Sequence, residues 1–212
     1  MRPPVPERYP VIPAIRDRWS PRSFADRMPD AADLCSIFEA ARLAPSAHNS
    51  QPTRFLIARK GRGDAFQRMF DCLDDHNREW ADRAPVLAIA AVTRKRFNQL
   101  TGKLVTYTHA MHDLGLAVMS MVIEAQSRGL HCHLLAAFDP DKAQAEFQIP
   151  PLFLPGLVIA IGYPGPAEVL PPELYAKETA PRTRRSPEEI AFEDCWGQAS
   201  AIFVEADTAG QR

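Results

Sequence analysis

A dense polar cluster between two prolines is the first feature of the sequence that could carry chemistry. Pro45 and Pro52 enclose the segment "SAHNSQ", whose hydroxyl, imidazole and amide side chains can donate and accept hydrogen bonds. The prolines restrict the backbone on both sides, so such a loop loses little entropy when it binds a ligand. Asn49 taken alone is also compatible with an Asx-turn or a helix cap.

Arginine clusters near both ends of the chain could bind a phosphate. "RDRWSPRSF" begins at Arg16 and "RTRRS" begins at Arg182, and in both segments arginines alternate with small or hydroxyl residues. Guanidinium groups, a Ser hydroxyl and backbone N–H groups can surround a phosphate together. The alternative is solvated surface charge. Two clusters beside Pro and Ser at opposite ends of the chain favour the phosphate interpretation without excluding that alternative.

Other common sites have weaker support. The sequence has no G-x-x-x-x-G-K-[ST], and its only G-x-G, at Gly61, lacks the third glycine, so a P-loop or Rossmann site is not expected. A zinc site could be drawn from His109 and His112, which lie three apart, and from His131 and His133, which lie two apart. No H-x-x-x-H or C-x-x-C pair accompanies them, so we expect no metal.

Length and composition indicate one globular domain. The 212 residues are 46% hydrophobic, enough to bury a full core, and the net charge of −1 gives no pull toward nucleic acid or an anionic membrane. No apolar run reaches the roughly 20 residues that span a bilayer. The N-terminus lacks the apolar segment of a secretory signal. Four widely spaced cysteines indicate reduced thiols, so we expect a cytoplasmic protein.

The elements that must position these residues are helices and strands in alternation. The order lacks a regular short βαβ repeat, so we expect an α+β fold with a central mixed β-sheet sandwiched by helices. We divide the chain into a proline-rich arm (1–13), one domain (14–197) and a C-terminal tail (198–212). Apolar periodicity predicts helices over 30–44, 63–81 and 139–147 and strands over 55–60, 85–93, 131–138 and 157–164.

The strongest periodicity lies over residues 104–129. Apolar residues step by three and four from Leu104 through Tyr107 and Met111 to Ala125, the pattern of a helix packed against another helix. Further apolar residues lie off that stripe, so we expect a helix of about 25 residues that is buried nearly all round. Because this is more apolar surface than one small domain needs, we expect part of it to face a second subunit at a dimer interface.

Six segments of the chain follow one another in an order that matches a known family. They are "RWSPRSF", "AARLAPSAHNSQPTRF", "HDLGLAVMSMVIEAQSRGL", "LLAAFDPDKAQAEFQIP", "LVIAIGYPG" and "APRTRRSPEEI". Together they resemble the nitroreductase family of FMN-dependent oxidoreductases over residues 12–197. The chain departs from many members at Thr53, where an aromatic is common, at "LLAAF", where glycines are common, and at Met119 and Ser120, where a Gln-Asn pair is common.

The resemblance implies an FMN site at the interface of a homodimer. Arginines from both ends of the chain would bind the phosphate and ribityl chain. The polar segment between Pro45 and Pro52 of the other subunit would contact the ribityl chain and ring edge. A backbone N–H at Ala136 or Ala137 would face flavin N5. The implied cofactor-binding residues are Arg18, Trp19, Ser20, Arg22, Ser46, Asn49, Gln51, Ala136, Ala137, Arg182 and Arg184.

The resemblance also implies an NAD(P)H-dependent flavin oxidoreductase in which the flavin, rather than a side chain, carries the chemistry. Hydride from NADH or NADPH would pass through flavin N5 to a nitroaromatic, a quinone or a similar acceptor. We expect no nucleic-acid or membrane partner. Two alternatives stay open: a specialised reductase or dehalogenase of the same fold, and a flavin-binding or storage protein without nicotinamide turnover.

Overall fold

A computed structural model describes residues 7–98 and 100–209, with side chains described through residue 206. A four-stranded sheet carries helices on both faces, and a two-stranded hairpin follows its second strand. The strands are β1 (Thr53–Arg59), β2 (Val86–Thr93), β3 (Lys95–Asn98), β4 (Lys103–Thr106), β5 (His131–Leu135) and β6 (Phe153–Gly162). The α-helices are α1 (Pro13–Arg16), α2 (Ala31–Leu43), α3 (Ala65–Phe70), α4 (Asp75–Ala81), α5 (Ala110–Ser127), α6 (Pro140–Glu146), α7 (Pro172–Thr179) and α8 (Ile202–Ala209).

The central sheet has the strand order β1–β2–β6–β5. Helices cover both of its faces, which confirms the predicted α+β class with a sheet between helices. The sequence predicts mixed strand directions, whereas these four strands pair antiparallel throughout. Apolar periodicity indicates a strand but carries no information about its direction, which accounts for the difference.

The strand β2 is apolar at successive positions because both of its faces are buried. Val86, Ala88 and Ala90 point to one side and pack with α2 and α5, whereas Leu87 and Ile89 point to the other and pack with α3 and α4. All five side chains are completely shielded from solvent. The central position predicted for this strand is confirmed, and its burial contributes to the hydrophobic core that supports the site.

The helix α5 is shorter and more one-sided than the sequence predicts. It has 18 residues, because the chain before Ala110 is not helical. Its buried side packs with α2 and the sheet, whereas Met111 and Met119 are exposed in the single chain. The prediction of a helix buried nearly all round is therefore wrong for one chain. Within the described residues, no helix is both long and apolar enough to cross a membrane.

A hairpin of β3 and β4 replaces the predicted first turns of that helix. Leu104 lies in β4, and the turn before it is held by Asn98, whose Oδ1 accepts from the backbone N of Leu100 at 2.9 Å and of Thr101 at 3.1 Å. Gly102 has a φ of +65°, which suits glycine better than other residues. Turn residues and the β-branched residues of "KLVTYT" thus outweigh the helical spacing of the apolar residues here.

The segment 63–81, predicted as one helix, forms α3 and α4 with a break between them. A new helix start needs a cap, and Asp74 provides it by accepting from the backbone N of Asn77 at 3.0 Å. In the break, Leu73 is buried and forms a β-bridge with Phe138. The break therefore fixes the chain that follows β5, where Ala136 and Ala137 lie, against the core.

The division of the chain into an arm, a domain and a tail stays a prediction. Residues 1–6 and 210–212 lie outside the described part of the chain. Within the described part, Tyr9 of the predicted arm stacks on Phe203 of α8, with ring centroids 6.0 Å apart. The described end of the arm therefore lies against the predicted tail.

Candidate functional site

A basic cavity of about 440 Å³ brings together residues from both ends of the chain. Residues 18–22 come from the segment between α1 and α2, and residues 180–184 directly follow α7. Both segments are largely irregular, so their backbone groups as well as their side chains can form hydrogen bonds within the cavity. Six of the predicted cofactor-binding residues line this basic cavity, and none of its lining residues is acidic. The full lining consists of Arg18, Trp19, Ser20, Arg22, His133, Lys177, Ala180, Arg182, Thr183 and Arg184.

A buried glutamate aligns one wall of the basic cavity. Glu178 of α7 is only 7% exposed, and its carboxylate accepts from the indole Nε1 of Trp19 at 3.4 Å and from the backbone N of Arg22 at 3.1 Å. The guanidinium of Arg22 lies 3.8 Å from the same carboxylate. Because a buried charge needs such partners, Glu178 fixes residues 19–22 against α7. The sequence analysis missed it, although its spacing of four from Leu174 indicates the buried side of a helix.

Arg182 joins the two chain ends, and its neighbours repel one another. Its guanidinium donates to the backbone O of Arg18 and, at 3.1 Å, to the backbone O of Arg16. Burial lowers the pKa of Arg18 below its ordinary value, and the positive charge of Arg184 lowers it further. Since arginine stays protonated in proteins, this repulsion remains in the folded chain, and an anion bound in the cavity would relieve it.

Two neutral histidines pack at the wall of the basic cavity. His131 packs against Trp19 at an interplanar angle of 58°, with ring centroids 4.0 Å apart, and His133 stacks on Trp80 with centroids 4.4 Å apart. The Nδ1 of His133 donates to the carbonyl O of Pro21 at 2.9 Å. Burial lowers the pKa of both histidines to about 4, with a smaller contribution from nearby arginines. No group of three or more His, Cys, Asp or Glu within the described residues could hold a metal ion.

The polar loop, residues 46–51, has a strained backbone closed by its own hydrogen bonds. His48, Asn49 and Gln51 have φ values of 56°, 51° and 44°, in the left-handed region that residues other than glycine rarely adopt. The Oγ of Ser46 accepts from the backbone N of Gln51 at 2.9 Å, and the Gln51 amide lies 3.2 Å from Asn49 Oδ1. Such strain persists only where surrounding contacts hold it, and it is concentrated at functional sites.

A buried carboxylate on α5 anchors the polar loop. Asp113 is 1% exposed, and its Oδ2 accepts from the backbone N of Ala47 at 3.1 Å and from the hydroxyl of Tyr107. The Nδ1 of His112 lies 3.0 Å from its Oδ1. Burial alone raises the pKa of Asp113, but the three hydrogen bonds outweigh burial and leave the pKa below its ordinary value. The sequence analysis missed this residue, which stands as an isolated acid in an apolar helical pattern.

The polar loop borders two further cavities. Ser46 and Gln51 line one of about 360 Å³, together with apolar side chains such as Phe38. Thr53 lines the same cavity, and its buried hydroxyl has no hydrogen-bond partner within the described residues. Asn49 lines another cavity of about 430 Å³, whose opposite wall is the β3–β4 hairpin. In one chain, the loop thus lies apart from the residues that line the basic cavity.

Ala136 and Ala137 occupy a third location at the end of β5. Both are exposed, and they line none of the three cavities described above. The carbonyl O of Ala137 accepts from the Asn77 side chain at 3.1 Å, which fixes this peptide to α4. Ala136 and Ala137 follow His133, which lines the basic cavity, by three and four residues along the chain. The structure therefore brings six of the eleven predicted residues into one cavity, three into the loop and two to a strand end.

Solved structures of other proteins share this fold. A crystal structure described as an oxidoreductase containing FMN matches with a TM-score of 0.85 and 30% identity, covering 92% of this chain and 96% of that one. A nitroreductase family protein from Streptococcus pneumoniae matches in fold, with a TM-score of 0.67 and 20% identity over 85% of this chain and 98% of that one.

Sequence similarity leads to the same class. The profile of the nitroreductase family matches residues 15–78 and 64–163. A Streptomyces coelicolor protein, provisionally named NADH dehydrogenase/NAD(P)H nitroreductase, is 31% identical over 177 residues, which cover 73% of this chain and 86% of that protein. The chain belongs to the nitroreductase family. This confirms the resemblance and the predicted oxidoreductase class, while the roles of the individual site residues stay predictions.

Proposed function

We propose that the protein is an FMN-dependent NAD(P)H oxidoreductase whose phosphate site is the basic cavity. The observation that carries the proposal is the convergence of cations from both chain ends on a cavity without an acidic lining residue. An FMN phosphate carries nearly two negative charges, and guanidinium forks bind such a group with paired N–H donors. The FMN and NAD(P)H in the names of two similar proteins support the same function.

In this proposal the residues of the basic cavity divide into two roles. Arg18, Arg22 and Arg184 bind the phosphate through charge-assisted hydrogen bonds, and the hydroxyl of Ser20 adds a neutral donor. Arg182 holds the two segments in place through its bonds to backbone carbonyls. Trp19, held by Glu178 and packed against His131, keeps this wall rigid and excludes water from the phosphate. A rigid wall lowers the entropy lost on binding.

The remaining predicted residues position the ribityl chain and the ring. Ser46, Asn49 and Gln51 supply hydroxyl and amide groups for the ribityl oxygens and the ring edge. A backbone N–H at Ala136 or Ala137 donates a hydrogen bond at flavin N5, and small side chains let the peptide approach the ring. When bound, FMN supplies hydride transfer, so the chain needs no nucleophile or obligatory acid of its own.

We further propose a homodimer in which the polar loop of one protomer completes the basic cavity of the other. The loop does not line the basic cavity of its own chain. Apolar side chains near it, among them Leu56, Ile57, Met111 and Met119, are exposed in the single chain, as expected for a surface that a second copy covers. Light scattering at micromolar concentration should give the dimer mass, and a monomer mass would contradict this arrangement.

Absorption spectroscopy tests the proposed function. The purified protein should be yellow, and its flavin absorbance should disappear on anaerobic mixing with NADPH or NADH. A colourless protein that takes up no FMN supplied in excess contradicts the proposal. A protein that keeps its colour for minutes after mixing is instead a flavin-binding or storage protein.

The electron acceptor is proposed to be a nitroaromatic, a quinone or a similar molecule. The alternative is a specialised reductase or dehalogenase of the same fold. Values of kcat/KM across a panel of nitroaromatics, quinones and halogenated compounds separate the two, because a specialist favours one acceptor far above the others. Comparable values across nitroaromatics and quinones would support the broad reductase.

The cytoplasmic location also stays a prediction. This prediction depends on the four cysteines, which are all free thiols. Cys72 and Cys132 are buried, whereas Cys35 and Cys195 are exposed. Burial raises the pKa of Cys132 to about 12, so this thiol is unreactive at neutral pH. Free thiols of this kind are typical of a reducing compartment.

A further inference from the structure

The cavity between the polar loop and the β3–β4 hairpin, called the hairpin cavity below, has a chemistry of its own. Its volume of about 430 Å³ lies in the range of small-molecule sites. Because successive residues of a strand point to opposite faces, a cavity lined by four residues in succession lies along the edge of β3. The hairpin side is lined by Lys95, Arg96, Phe97, Asn98 and Leu100, and the loop side by His48, Asn49 and Ser50.

The hairpin concentrates positive charge without an acidic residue. Residues 94–106 include four cations and no Asp or Glu. Within the described residues none of the four side chains has an ion pair, whereas Arg128, for example, is paired with both Asp33 and Glu124. Arg96 is half-buried at the cavity wall, and Lys95 is exposed beside it. This uncompensated positive potential should attract an anion into the cavity.

An exposed aromatic ring in the same wall favours a nucleotide over a simple anion. Phe97 is 61% exposed, and Leu104, directly opposite it on β4, is exposed to the same extent. Side chains directly opposite on two strands lie close together, so the pair forms a continuous apolar surface. Aromatic rings stack on bases, and neighbouring cations bind phosphates, so this wall offers both parts of nucleotide recognition.

We propose that the hairpin cavity binds the adenosine-phosphate part of NADH or NADPH, with Lys95 and Arg96 on the phosphates and Phe97 against the adenine. The inference rests on the proposed function, in which the polar loop contacts the FMN bound by the partner protomer. Residues 48–50 then form a wall shared by the FMN site and the hairpin cavity. A dinucleotide whose nicotinamide lies on the flavin therefore extends toward the hairpin. A chain without a Rossmann motif thereby gains a nucleotide site.

Steady-state kinetics of Arg96→Ala test the proposal. The KM for NADPH should rise about tenfold to a hundredfold while kcat and the FMN content per chain stay near wild type, because a charge-assisted contact that does not change during the reaction is lost. Arg96→Lys keeps the charge and should give an intermediate KM. An equal rise for NADH and NADPH assigns Arg96 to the pyrophosphate, and a larger rise for NADPH assigns it to the 2′-phosphate; both support the proposal.

The matched control is Lys103→Ala, which removes a cation from the same hairpin outside the cavity. It should leave the KM within about twofold of wild type, since its side chain does not line the cavity and an exposed charge is screened by salt. The proposal is overturned if the KM for NADPH in Arg96→Ala stays as close to wild type as in Lys103→Ala. It is also overturned if Arg96→Ala raises only the KM for the acceptor.

A titration independent of turnover separates this inference from the proposed function. Calorimetry with 2′,5′-ADP and 5′-ADP should show binding to the wild-type protein that Arg96→Ala weakens about tenfold or more. Absence of binding by either nucleotide overturns the nucleotide site, even in a protein that contains FMN and is reduced by NADPH. A wild-type protein that takes up no FMN contradicts the proposed function instead, and the ADP titration still decides whether the hairpin cavity binds a nucleotide.

Discussion

The basic cavity and the polar loop, the two regions assigned to FMN, are built in opposite ways. The basic cavity is assembled from the two ends of the chain, with contacts such as that of Arg182 with the carbonyl of Arg16, 166 positions away. The polar loop is a single segment of six residues whose backbone is strained at His48, Asn49 and Gln51. One region contributes mainly charge, and the other contributes mainly a fixed arrangement of hydrogen-bonding groups.

The difference shows which region depends on a ligand. In the basic cavity, Arg18 and Arg184 repel each other and no acidic residue lines the cavity, so a bound anion would relieve the repulsion of this pair. The polar loop instead has a buried anchor within the chain, because Asp113 accepts three hydrogen bonds, one of them from the loop backbone. We therefore expect bound FMN to stabilise the basic cavity more than the loop, and substitutions in the two regions to affect different measurements.

Among the substitutions, the largest expected loss of stability belongs to Asp113→Ala. The substitution leaves the Ala47 N–H and the Tyr107 hydroxyl without their buried acceptor, so the free energy of unfolding should fall by about 3 kcal/mol. Urea unfolding followed by circular dichroism measures this. Tyr107→Phe removes one donor while the carboxylate keeps its other partners, and it should cost about 1 kcal/mol. Equal losses in the two variants would mean that the carboxylate is not what holds the loop.

The basic cavity should respond in ligand binding rather than in folding. Arg22→Ala and Arg184→Ala should each weaken FMN binding about tenfold to a hundredfold, because each removes a charge-assisted contact of roughly 1.5–3 kcal/mol. Fluorescence titration of the apoprotein with FMN measures the change. Arg62→Ala, at an exposed position after β1, is the control and should bind FMN as wild type does. Variants that keep a full flavin complement through dialysis would place the phosphate elsewhere.

A pH dependence of stability should also separate the two regions. The pKa values of His131 and His133 fall from an ordinary 6.5 to about 4 on folding, so the unfolded chain binds more protons between these values. The free energy of unfolding should therefore decrease as the pH falls through this window, by up to about 1.4 kcal/mol per pH unit for each histidine. Asp113, whose pKa is lowered from 3.8, loses its contribution only at more acidic pH.

Urea unfolding between pH 7 and pH 5 measures this slope. His131→Phe keeps an aromatic ring against Trp19 but cannot take up a proton, so the slope should become smaller. Asp113→Asn should leave the slope in that range unchanged, because the carboxylate stays ionised throughout it. A slope that His131→Phe does not alter would assign the titration to other groups.

Those parts of the fold that depend on burial could be predicted from the sequence. The apolar run of β2 indicates a strand covered on both sides, and the Asp-Pro at residues 139–140 indicates the start of α6, where Asp139 accepts from the backbone N of Lys142 at 2.9 Å. The hairpin was not predicted, because the spacing of three between Leu104 and Tyr107 fits a helix. The break before α4 was missed because its cap, Asp74, lies in a run of polar residues that a helix surface also tolerates.

By itself, the sequence determined which groups are available for binding: arginines at both chain ends, a polar segment between two prolines, and an order of segments typical of the nitroreductase family. Only the tertiary structure decided that Arg18 and Arg184 line one cavity, that Glu178 and Asp113 hold the walls, and that the hairpin cations meet the polar loop. The physical reason is that these contacts join residues far apart along the chain. A local pattern reports how a segment buries its own side chains, whereas the partner of a buried charge is set by the packing of the whole domain.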